Sequence, residues 1–404
     1  MAQLGDAILV RGPSLNENEL WLREQINFSD PEKKYIYNHS GQLGAPKVIK
    51  NYPGETVSLT NGARPFILQA NYITLSGFQF KNGKNVNAGT VEPSNTANGP
   101  PLITSKGNKV LNCTFEGKIG YDAVGAHGDD HVIAGNVCNL NGASTGTQGH
   151  CYYFSHGQNV QLLWNVAMGS WPGYGIHLYD QRRASADFKR EIHNFLVEGN
   201  VLRGSDERSG MIVAMDDEGG YGNNIDTMVI RNNIFTANNF FRLQISGIAT
   251  IKNIKIYNNT FYQNGRQGLH VLAASKTTQN IENVEIKNNI FDVTSNSSCK
   301  VNCEWYKPAA MEINNAKNVI VERNGYLLGA VTLGALDSKP IVGAIVFENG
   351  AADDWRVRVG SPTIDQGITL PLVDRDFRGI PRPQGSGYDI GAFELEATSE
   401  TNGL

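Results

Sequence analysis

Histidine, tyrosine, arginine and carboxylate side chains with catalytic potential are concentrated between residues 150 and 270 of this 404-residue chain. His177 and His270 carry imidazoles, which can exchange a proton near neutral pH. Tyr153 can protonate a leaving oxygen, and Arg242 can pair with a substrate carboxylate. Asp180 adds a carboxylate to the same stretch. These five residues are the candidate catalytic groups, with His177 as the preferred base.

Four acidic residues could hold a metal ion. They are Asp180, Asp216, Asp217 and Glu218. Ca²⁺ takes six to eight oxygen ligands, so substrate and water would complete the shell. No organic cofactor is expected. Asp180 facing Asp216 or Asp217 would alternatively form the pair of carboxylates, roughly 5–5.5 Å apart, that retaining glycoside hydrolysis uses. The sequence leaves both chemistries open.

Aromatic, basic and amide side chains in the same region are candidate substrate-binding groups: Trp171, Tyr174, Tyr179, Arg182, Arg183 and Gln244. Arg182 is also a second candidate partner for a substrate carboxylate. These residues are far apart in the sequence, so a repeating fold is needed to bring their side chains close together.

A four-residue motif supplies that framework. Its strongest copies are residues 232–235 (NNIF), 258–261 (NNTF) and 288–291 (NNIF). Weaker copies extend from Phe78 to Asn324, and the second residues of successive copies are 23 to 35 residues apart. A period near 30 residues, with an alternating apolar stretch before each copy, is typical of a stacked repeat. The repeat predicts one elongated all-β domain with coils from about residue 66 to residue 330.

Equivalent asparagines of such a repeat would lie above one another at roughly the 4.8 Å spacing of paired strands. Each amide could then donate to the carbonyl oxygen of its neighbour and form an asparagine ladder. Alternation places residues 176, 178, 211, 213, 269, 271, 311 and 313 inside the coil and their neighbours outside. The helical pattern at residues 15–28 predicts a cap for the first coil, within an N-terminal part that spans residues 1–65.

Aligning the units that follow each motif predicts two outward columns of side chains. The first column is Tyr153, His177, Ile212, Arg242, His270 and Glu312. The second column is Ser155, Tyr179, Ala214, Gln244, Leu272 and Asn314. Three or four coils would extend roughly 10–15 Å along the axis, which is the length of two or three sugar rings. A groove over residues 150–275 is therefore predicted.

The chain resembles the pectate-lyase-like right-handed parallel β-helix superfamily. The segments that carry the resemblance are residues 40–49 (SGQLGAPKVI), 52–55 (YPGE), 361–367 (SPTIDQG), 374–383 (DRDFRGIPRP) and 388–394 (YDIGAFE). The last three look like the closing segment of such proteins, so residues 331–404 are expected to cap the last coil with ion pairs among Asp374, Asp376, Arg378 and Arg382. The opening lacks the usual preceding strand, which suggests a missing N-terminal piece.

The resemblance implies a carbohydrate-active protein: a polysaccharide lyase, a uronate epimerase or a glycosidase. We expect β-elimination on an acidic, uronate-containing polysaccharide, in a secreted or cell-surface protein that acts as a monomer. A glycosidase and a non-catalytic polysaccharide-binding solenoid remain the alternatives. Fold alone does not decide among them.

Composition excludes other classes. A formal net charge of −4 gives no basic stripe for nucleic acid, and no apolar run reaches the roughly 20 residues of a membrane span. Among the cysteines, Cys299 and Cys303 lie in a polar loop and could pair. Cys113, Cys138 and Cys151 fall at motif or strand positions and are expected to be free thiols inside the coil.

Overall fold

A computed structural model describes residues 7–10, 36–37, 40–51, 53–60, 66–68, 70–81, 86–88, 105–117, 122–140, 149–169, 173–180, 191–205, 208–217, 222–238, 241–263, 267–273, 280–292, 309–327, 332–333 and 337–396. The helix expected at residues 15–28, the Cys299/Cys303 pair and the side chains of Trp171, Asp180, Arg182, Arg183 and Glu218 lie outside this description.

Three long sheets contain most of the described residues, and every strand pair within them is parallel. Sheet 1 contains Ala7–Val10, Lys47–Asn51, Ile73–Ser76, Lys109–Leu111, Val132–Ala134, Gly157–Gln158, Gln161–Leu163, Glu191–Glu198, Asn224–Arg231, Thr250–Tyr257, Ile281–Lys287 and Lys317–Glu322. Sheet 2 contains Val57–Thr60, Phe78–Lys81, Thr114–Gly117, Val137–Leu140, Val166–Met168, Val201–Arg203, Ile234–Thr236, Thr260–Tyr262, Ile290–Phe291, Gly325–Leu327 and Ile341–Gly343. Sheet 3 contains Ile36–Tyr37, Phe66–Leu68, Val86–Ala88, Val124–Ala126, Tyr152–Phe154, Ile176–Asp180, Met211–Met215, Leu243–Gly247, Gln267–Ala273, Ala309–Asn314 and Thr332–Leu333.

The chain passes through sheets 1, 2 and 3 in turn and then returns to sheet 1 one strand further along. Repetition of this path produces a right-handed parallel β-helix, which confirms the predicted fold. Two short strand pairs, Ser105–Lys106 with Gly128–Asp129 and Phe347–Asn349 with Asp354–Val357, and a 3₁₀ turn at Gly350–Ala352 complete the described elements.

The repeated motif forms the tight turn between sheets 1 and 2. Its first residue has a positive φ in every described copy, for example 53° at Asn232, 50° at Asn258 and 66° at Gly135. Glycine and asparagine adopt this left-handed conformation most readily, which explains why they dominate the first position. The turn takes only two residues, and its second residue is buried inside the coil.

That second residue forms a continuous series of hydrogen bonds, here called the inner asparagine series: Asn136, Asn165, Asn200, Asn233, Asn259, Asn289 and Asn324. In each step the Nδ2 atom donates to the Oδ1 atom of the asparagine one coil further along, at 2.9–3.0 Å. The same Nδ2 also donates to a carbonyl of the preceding coil, as Asn259 does to Ile230 at 2.9 Å. All of these side chains are fully buried, so the bonds satisfy polar groups that water does not reach.

The inner asparagine series has a direction and two distinct ends. At the N-terminal end Cys113 takes the place of an asparagine, and only its backbone N–H donates to Asn136 Oδ1, at 2.9 Å. At the other end the Asp337 carboxylate accepts from Asn324 Nδ2 at 2.8 Å and from the Tyr326 hydroxyl at 2.9 Å. An ionised carboxylate only accepts, so it terminates a chain of donors without leaving a donor unused.

The fourth motif residue packs the coils together. Phe235, Phe261 and Phe291 stack with ring centroids 4.7–4.8 Å apart. The residues predicted inside sheet 3 are all buried, between 0% exposed at Ile176 and 5% at Ile313. The predicted inward alternation is therefore confirmed.

A second asparagine series runs along the outside of sheet 1. Asn318 donates to Asn283, and Asn283 donates to Asn253, at 3.1–3.2 Å. Asn194 donates to Asn159 in the same direction, at 2.8 Å. These residues have φ between 50° and 59°, and each bends the chain at its position in sheet 1. This outer asparagine series was not predicted, although asparagines at 159, 194, 253, 283 and 318 follow the same repeat.

The C-terminal segment, residues 337–396, packs along the side of the coils. Asn232, Asn258 and Asn288 donate from their side chains to the carbonyls of Arg375, Asp389 and Ile368, at 2.8–3.0 Å. Ion pairs join Arg382 to Glu394 and Arg378 to Asp376 within the segment. The segment thus packs along several successive coils, and an ion pair between Arg203 and Asp353 extends its contacts to the coil before Asn232.

Two cysteine assignments are corrected by the structure. Cys138 and Cys151 form a disulfide with their Cα atoms 5.8 Å apart, whereas both were expected to be free thiols. The expectation failed because inward positions of sheets 2 and 3 meet inside the coil, which the sequence spacing does not show. Cys113 is a free, buried thiol as expected, and burial raises its pKa to about 12.

Replacing Asn259 by aspartate should strongly destabilise the protein, because a carboxylate there has no donor for the Ile230 carbonyl or for Asn289 Oδ1. We expect Asn259→Asp to lower the free energy of unfolding by about 3 kcal/mol in a urea titration. The matched control is Asn283→Asp in the exposed outer asparagine series, which should cost less than about 1 kcal/mol. Equal losses in the two variants would contradict the role given to the inner series.

Alkylation should distinguish the three described cysteines. In the folded, unreduced protein none should react with iodoacetamide, because Cys113 is buried and the other two form the disulfide. Denaturation without a reductant should expose Cys113 alone among the three, and peptide mass mapping would identify it. Labelling of Cys138 or Cys151 before reduction would contradict the disulfide.

Candidate functional site

Strand pairing shows which outward side chains of sheet 3 are neighbours. The first column is Tyr153, His177, Ile212, Gln244, His270 and Glu312. The second column contains Tyr179, Ala214, Ser246, Leu272 and Asn314. The columns predicted from the sequence are therefore correct at each of these positions except in the coil that contains Leu243–Gly247.

Arg242 and Gln244 were placed two residues out of register. Leu243 pairs with Met211, so Gln244 belongs to the first column and Arg242 precedes the strand. Arg242 is fully buried and donates to the Gln263 carbonyl. Burial lowers its pKa to about 9. A slip of two residues keeps every side chain on the same face, so the apolar pattern could not reveal it.

His177 lies at the centre of a group of rings that we call the imidazole–tyrosine cluster: His150, Tyr153, Tyr174, His177 and Tyr179. The centroid of the His177 ring is 4.1 Å from His150, 4.7 Å from Tyr174, 5.1 Å from Tyr179 and 5.2 Å from Tyr153. These contacts leave His177 only 5% exposed although its position faces outward. The structure thus brings together four of the sequence-predicted site residues and adds His150.

Hydrogen bonds determine which nitrogen of each imidazole carries the proton. The Tyr174 backbone N–H donates to His150 Nδ1 at 2.9 Å, so a neutral His150 carries its proton on Nε2. That Nε2 lies 2.8 Å from His177 Nδ1, which must therefore accept. A neutral His177 then carries its own proton on Nε2. Burial lowers the pKa of His150 to about 3 and holds the pKa of His177 well below its usual value, so both rings are neutral at pH 7.

Arg208 supplies a cation beside this cluster. Its guanidinium carbon lies 6.0 Å from the centre of the Tyr174 ring, and its charge further lowers the pKa of His150 and His177. Arg208 is exposed and lies in the connection between Val201–Arg203 and Met211–Met215. The repeat does not point to Arg208, because this residue lies in a connection between two strands and at no repeated position. The available signal was that Arg208 is a basic residue three positions before Met211–Met215, a strand of sheet 3.

The described acids of the predicted calcium site have partners within the protein. Asp216 Oδ2 accepts from the Tyr179 hydroxyl at 2.8 Å, and Asp217 Oδ2 accepts from the Gly222 N–H at 3.1 Å. Asp180 is in register with Met215, but its side chain is outside the described part, as is all of Glu218. Among the described residues no three His, Cys, Asp or Glu side chains come together as metal ligands.

His270 belongs to a separate group three strands from His177. Its ring stacks on Phe241 at 4.1 Å, and its Nε2 lies 4.0 Å from Glu312 Oε2. Burial lowers the pKa of His270. Three strand spacings amount to roughly 14 Å, so His270 does not share one reaction centre with His177. The buried Ile212 and Ala214 occupy the coil next to His177 on this face, which separates the two groups further.

Comparisons with known proteins concern the fold. No family model matches the chain, and no curated protein matches it. Among solved structures, XylC in complex with xylose matches with a TM-score of 0.51 and 12% identity, over 89% of this chain and 66% of that one. The match is one of fold, that of a parallel β-helix. The expected likeness to pectate-lyase-like β-helices is confirmed at that level, and the comparisons include a pectate lyase, Pel9A, with a TM-score of 0.38 and 12% identity, over 90% of this chain and 85% of that one.

Two other matches also have TM-scores below that of XylC. A mutant of the PL6-family alginate lyase AlyGC gives a TM-score of 0.37 at 12% identity, over 98% of this chain and 56% of that one. A tailspike protein mutant of E. coli bacteriophage HK620 in complex with a pentasaccharide gives 0.46 at 15% identity, over 76% and 59%. The β-helix thus spans 56–66% of the length of the XylC, AlyGC and tailspike chains. Among the described residues, no helix has the length and apolar character of a membrane span.

The neutral state of His150 should make stability depend on pH. Folding depresses its pKa from 6.5 to about 3, so the unfolded chain binds more protons between these values. Stability should be complete above pH 6.5 and should fall as the pH drops towards 3, by about 1.4 kcal/mol per pH unit for each such histidine. His150→Asn should reduce that slope in urea titrations at pH 7, 6 and 5. An unchanged slope would show that His150 is not held neutral.

Proposed function

We propose that this protein cleaves an acidic polysaccharide by β-elimination at the imidazole–tyrosine cluster. The observation that carries the proposal is the position of Arg208 beside an imidazole whose outward nitrogen carries a proton. A sugar substrate also agrees with the likeness to XylC, which was solved with xylose. The finer claims, an acidic sugar and an elimination, rest on the chemistry of the cluster.

Elimination from a uronate begins with its carboxylate. Withdrawal of charge from that group acidifies the neighbouring C5–H bond, and a guanidinium and a neutral N–H can both supply it. Arg208 and His177 Nε2–H have these properties. His177 would act as a hydrogen-bond donor. It would not be the base that the sequence suggested, because its Nδ1 already accepts from His150 and its Nε2 carries a proton.

Tyr179 and Asp216 together form the proposed base. The Tyr179 hydroxyl donates to Asp216 Oδ2, so its proton can pass to the carboxylate while its oxygen takes the C5 proton. The C5–H electron pair forms the C4=C5 double bond, and the C4–O bond breaks. Tyr174 is neutral before the reaction because burial raises its pKa, and it would pass its hydroxyl proton to the leaving oxygen as the C4–O bond breaks. Asp216 would then release its proton to solvent and Tyr174 would take one up, which restores both groups. Tyr153, on another side of His177, would bind the sugar ring.

Two further assignments belong to this proposal. Gln244, His270 and Glu312 would bind sugar units roughly 10, 14 and 19 Å along the axis from His177, at two, three and four strand spacings. A secreted or cell-surface location agrees with the Cys138–Cys151 disulfide, because disulfides persist mainly in oxidising compartments. Hydrolysis by Asp180 with Asp216 or Asp217 is less favoured, because Asp216 is engaged by Tyr179.

Activity measurements on purified polygalacturonate, alginate and hyaluronate test the proposal. A lyase produces a C4=C5 bond that absorbs in the ultraviolet, and it consumes no water. On the substrate that reacts, Arg208→Ala should lower kcat/KM by about 100-fold or more, because it removes a charge that stabilises the transition state. Tyr179→Phe should lower kcat by a similar factor.

Arg203→Ala is the matched control, since it removes the same charge from an exposed position on sheet 2. Its kcat/KM should stay within about twofold of the wild type. Full activity of both Arg208→Ala and Tyr179→Phe on a confirmed substrate would refute the site. New reducing ends without ultraviolet absorbance would instead indicate hydrolysis.

A further inference from the structure

A polar groove lies on the outside of the coils where strands of sheet 3 lead into sheet 1. Its volume is about 750 Å³, and its lining comes from five successive coils, from Asp129 to Lys252. Four strand spacings amount to roughly 19 Å, which is the length of about four sugar units. The groove belongs to a different face from the imidazole–tyrosine cluster, and nothing in the proposed elimination uses it.

The floor of the groove contains backbone without side chains. Gly128 and Gly157 have φ values of 112° and 138°, and a Cβ atom at either position would lie within 2.1 Å of a carbonyl oxygen of the adjacent coil. Glycine is therefore required at these two positions, where adjacent coils approach too closely for a side chain. A flat backbone floor leaves the space above it open to a ligand.

The wall of the groove consists of outward side chains at paired positions of successive strands. Gln158, His193, Asp226 and Lys252 are consecutive partners in sheet 1, and Glu191 lies beside His193 on the same face. The bend at Asn194 and its equivalents in the outer asparagine series follows directly after this wall. The positive φ of 54° at Asn194 bends the strand, and this bend separates the wall from the rest of the sheet.

Contacts within the protein hold most of these groups in place before any ligand binds. Asp226 Oδ1 accepts from Asn253 Nδ2 at 2.7 Å, and Lys252 Nζ lies 3.4 Å from Asp226 Oδ2. Asp129 Oδ2 accepts from Gln158 Nε2 at 3.1 Å, and Glu191 Oε1 accepts from Asn224 Nδ2 at 3.1 Å. Prior ordering reduces the entropy lost when a ligand binds.

His193 is the exception in this wall. Its side chain is exposed and makes no hydrogen bond with the described residues, so both ring nitrogens are available. Carboxylates, amides, a lysine and an imidazole at fixed spacing provide both donors and acceptors for hydroxyl groups. Hydroxyl-rich chains are the ligands that need both.

Charge decides which hydroxyl-rich chain would fit. Asp129, Glu191 and Asp226 face one cation, Lys252, so these four side chains carry a net charge of −2. Uronate polymers would be repelled at these distances. We propose that the groove binds an uncharged oligosaccharide, as an accessory site that anchors a neutral glycan beside the acidic one.

Isothermal titration calorimetry with neutral β-1,4-linked hexasaccharides of glucose, xylose and mannose tests this proposal on the full chain. At least one should bind, and hexagalacturonate should not compete with it. Thr250→Trp, which fills the groove from an exposed position, and His193→Ala should each weaken that binding by about tenfold or more. Circular dichroism would show that both variants remain folded.

Lys317→Ala is the matched control, because Lys317 is exposed on the same column but lies two coils beyond Lys252. It should change the affinity by less than about twofold. Arg208→Ala should also leave this binding intact, which separates the groove from the proposed active site. Binding of hexagalacturonate or a chitosan hexamer alone, binding unaffected by both groove variants, or no binding of any neutral hexasaccharide at millimolar concentration would overturn the proposal.

Discussion

The fold depends on the hydrogen bonds that connect buried asparagines from one coil to the next. Each asparagine of the inner series satisfies groups on both sides of its own coil, because its Oδ1 accepts from one neighbour while its Nδ2 donates to the other. A polar group buried without a partner would cost about 1–3 kcal/mol, so the series constrains every coil to lie in register with its neighbours. The outward columns of sheet 3 exist only because this register is maintained.

The architecture could be predicted from the sequence because the same physical requirements recur in every coil. The left-handed turn selects glycine or asparagine, the buried second position selects asparagine, and the stacked fourth position selects phenylalanine. These three requirements recur with the same period, so the repeat can be recognised from the sequence alone. The outer asparagine series escaped notice because its members stand singly, as Asn253 and Asn283 do, without a second asparagine beside them to mark the repeat.

The candidate site was less predictable, and the reasons differ between residues. Arg242 was misplaced because alternation has a period of two and does not distinguish shifts of two residues. Arg208 was overlooked because it reaches the cluster from a connection whose path no periodicity describes. The protonation of His177 depends on a backbone N–H of Tyr174 acting through His150. Such a relay can be recognised only in the three-dimensional structure, because no sequence pattern indicates which ring nitrogen accepts.

The C-terminal segment also explains why the motif is strongest where it is. Asn232, Asn258 and Asn288 hold carbonyls of that segment, and Arg203 of the preceding coil pairs with Asp353. Gly135 and Trp164 occupy the motif position in earlier coils, where the described structure shows no such bond to the segment. Evolution could therefore insert or delete whole turns among the earlier coils at little cost, provided each brought its own asparagine. A turn added between residues 232 and 292 would displace the C-terminal segment from its anchors. Length variation among homologues should consequently be confined to the N-terminal half of the solenoid.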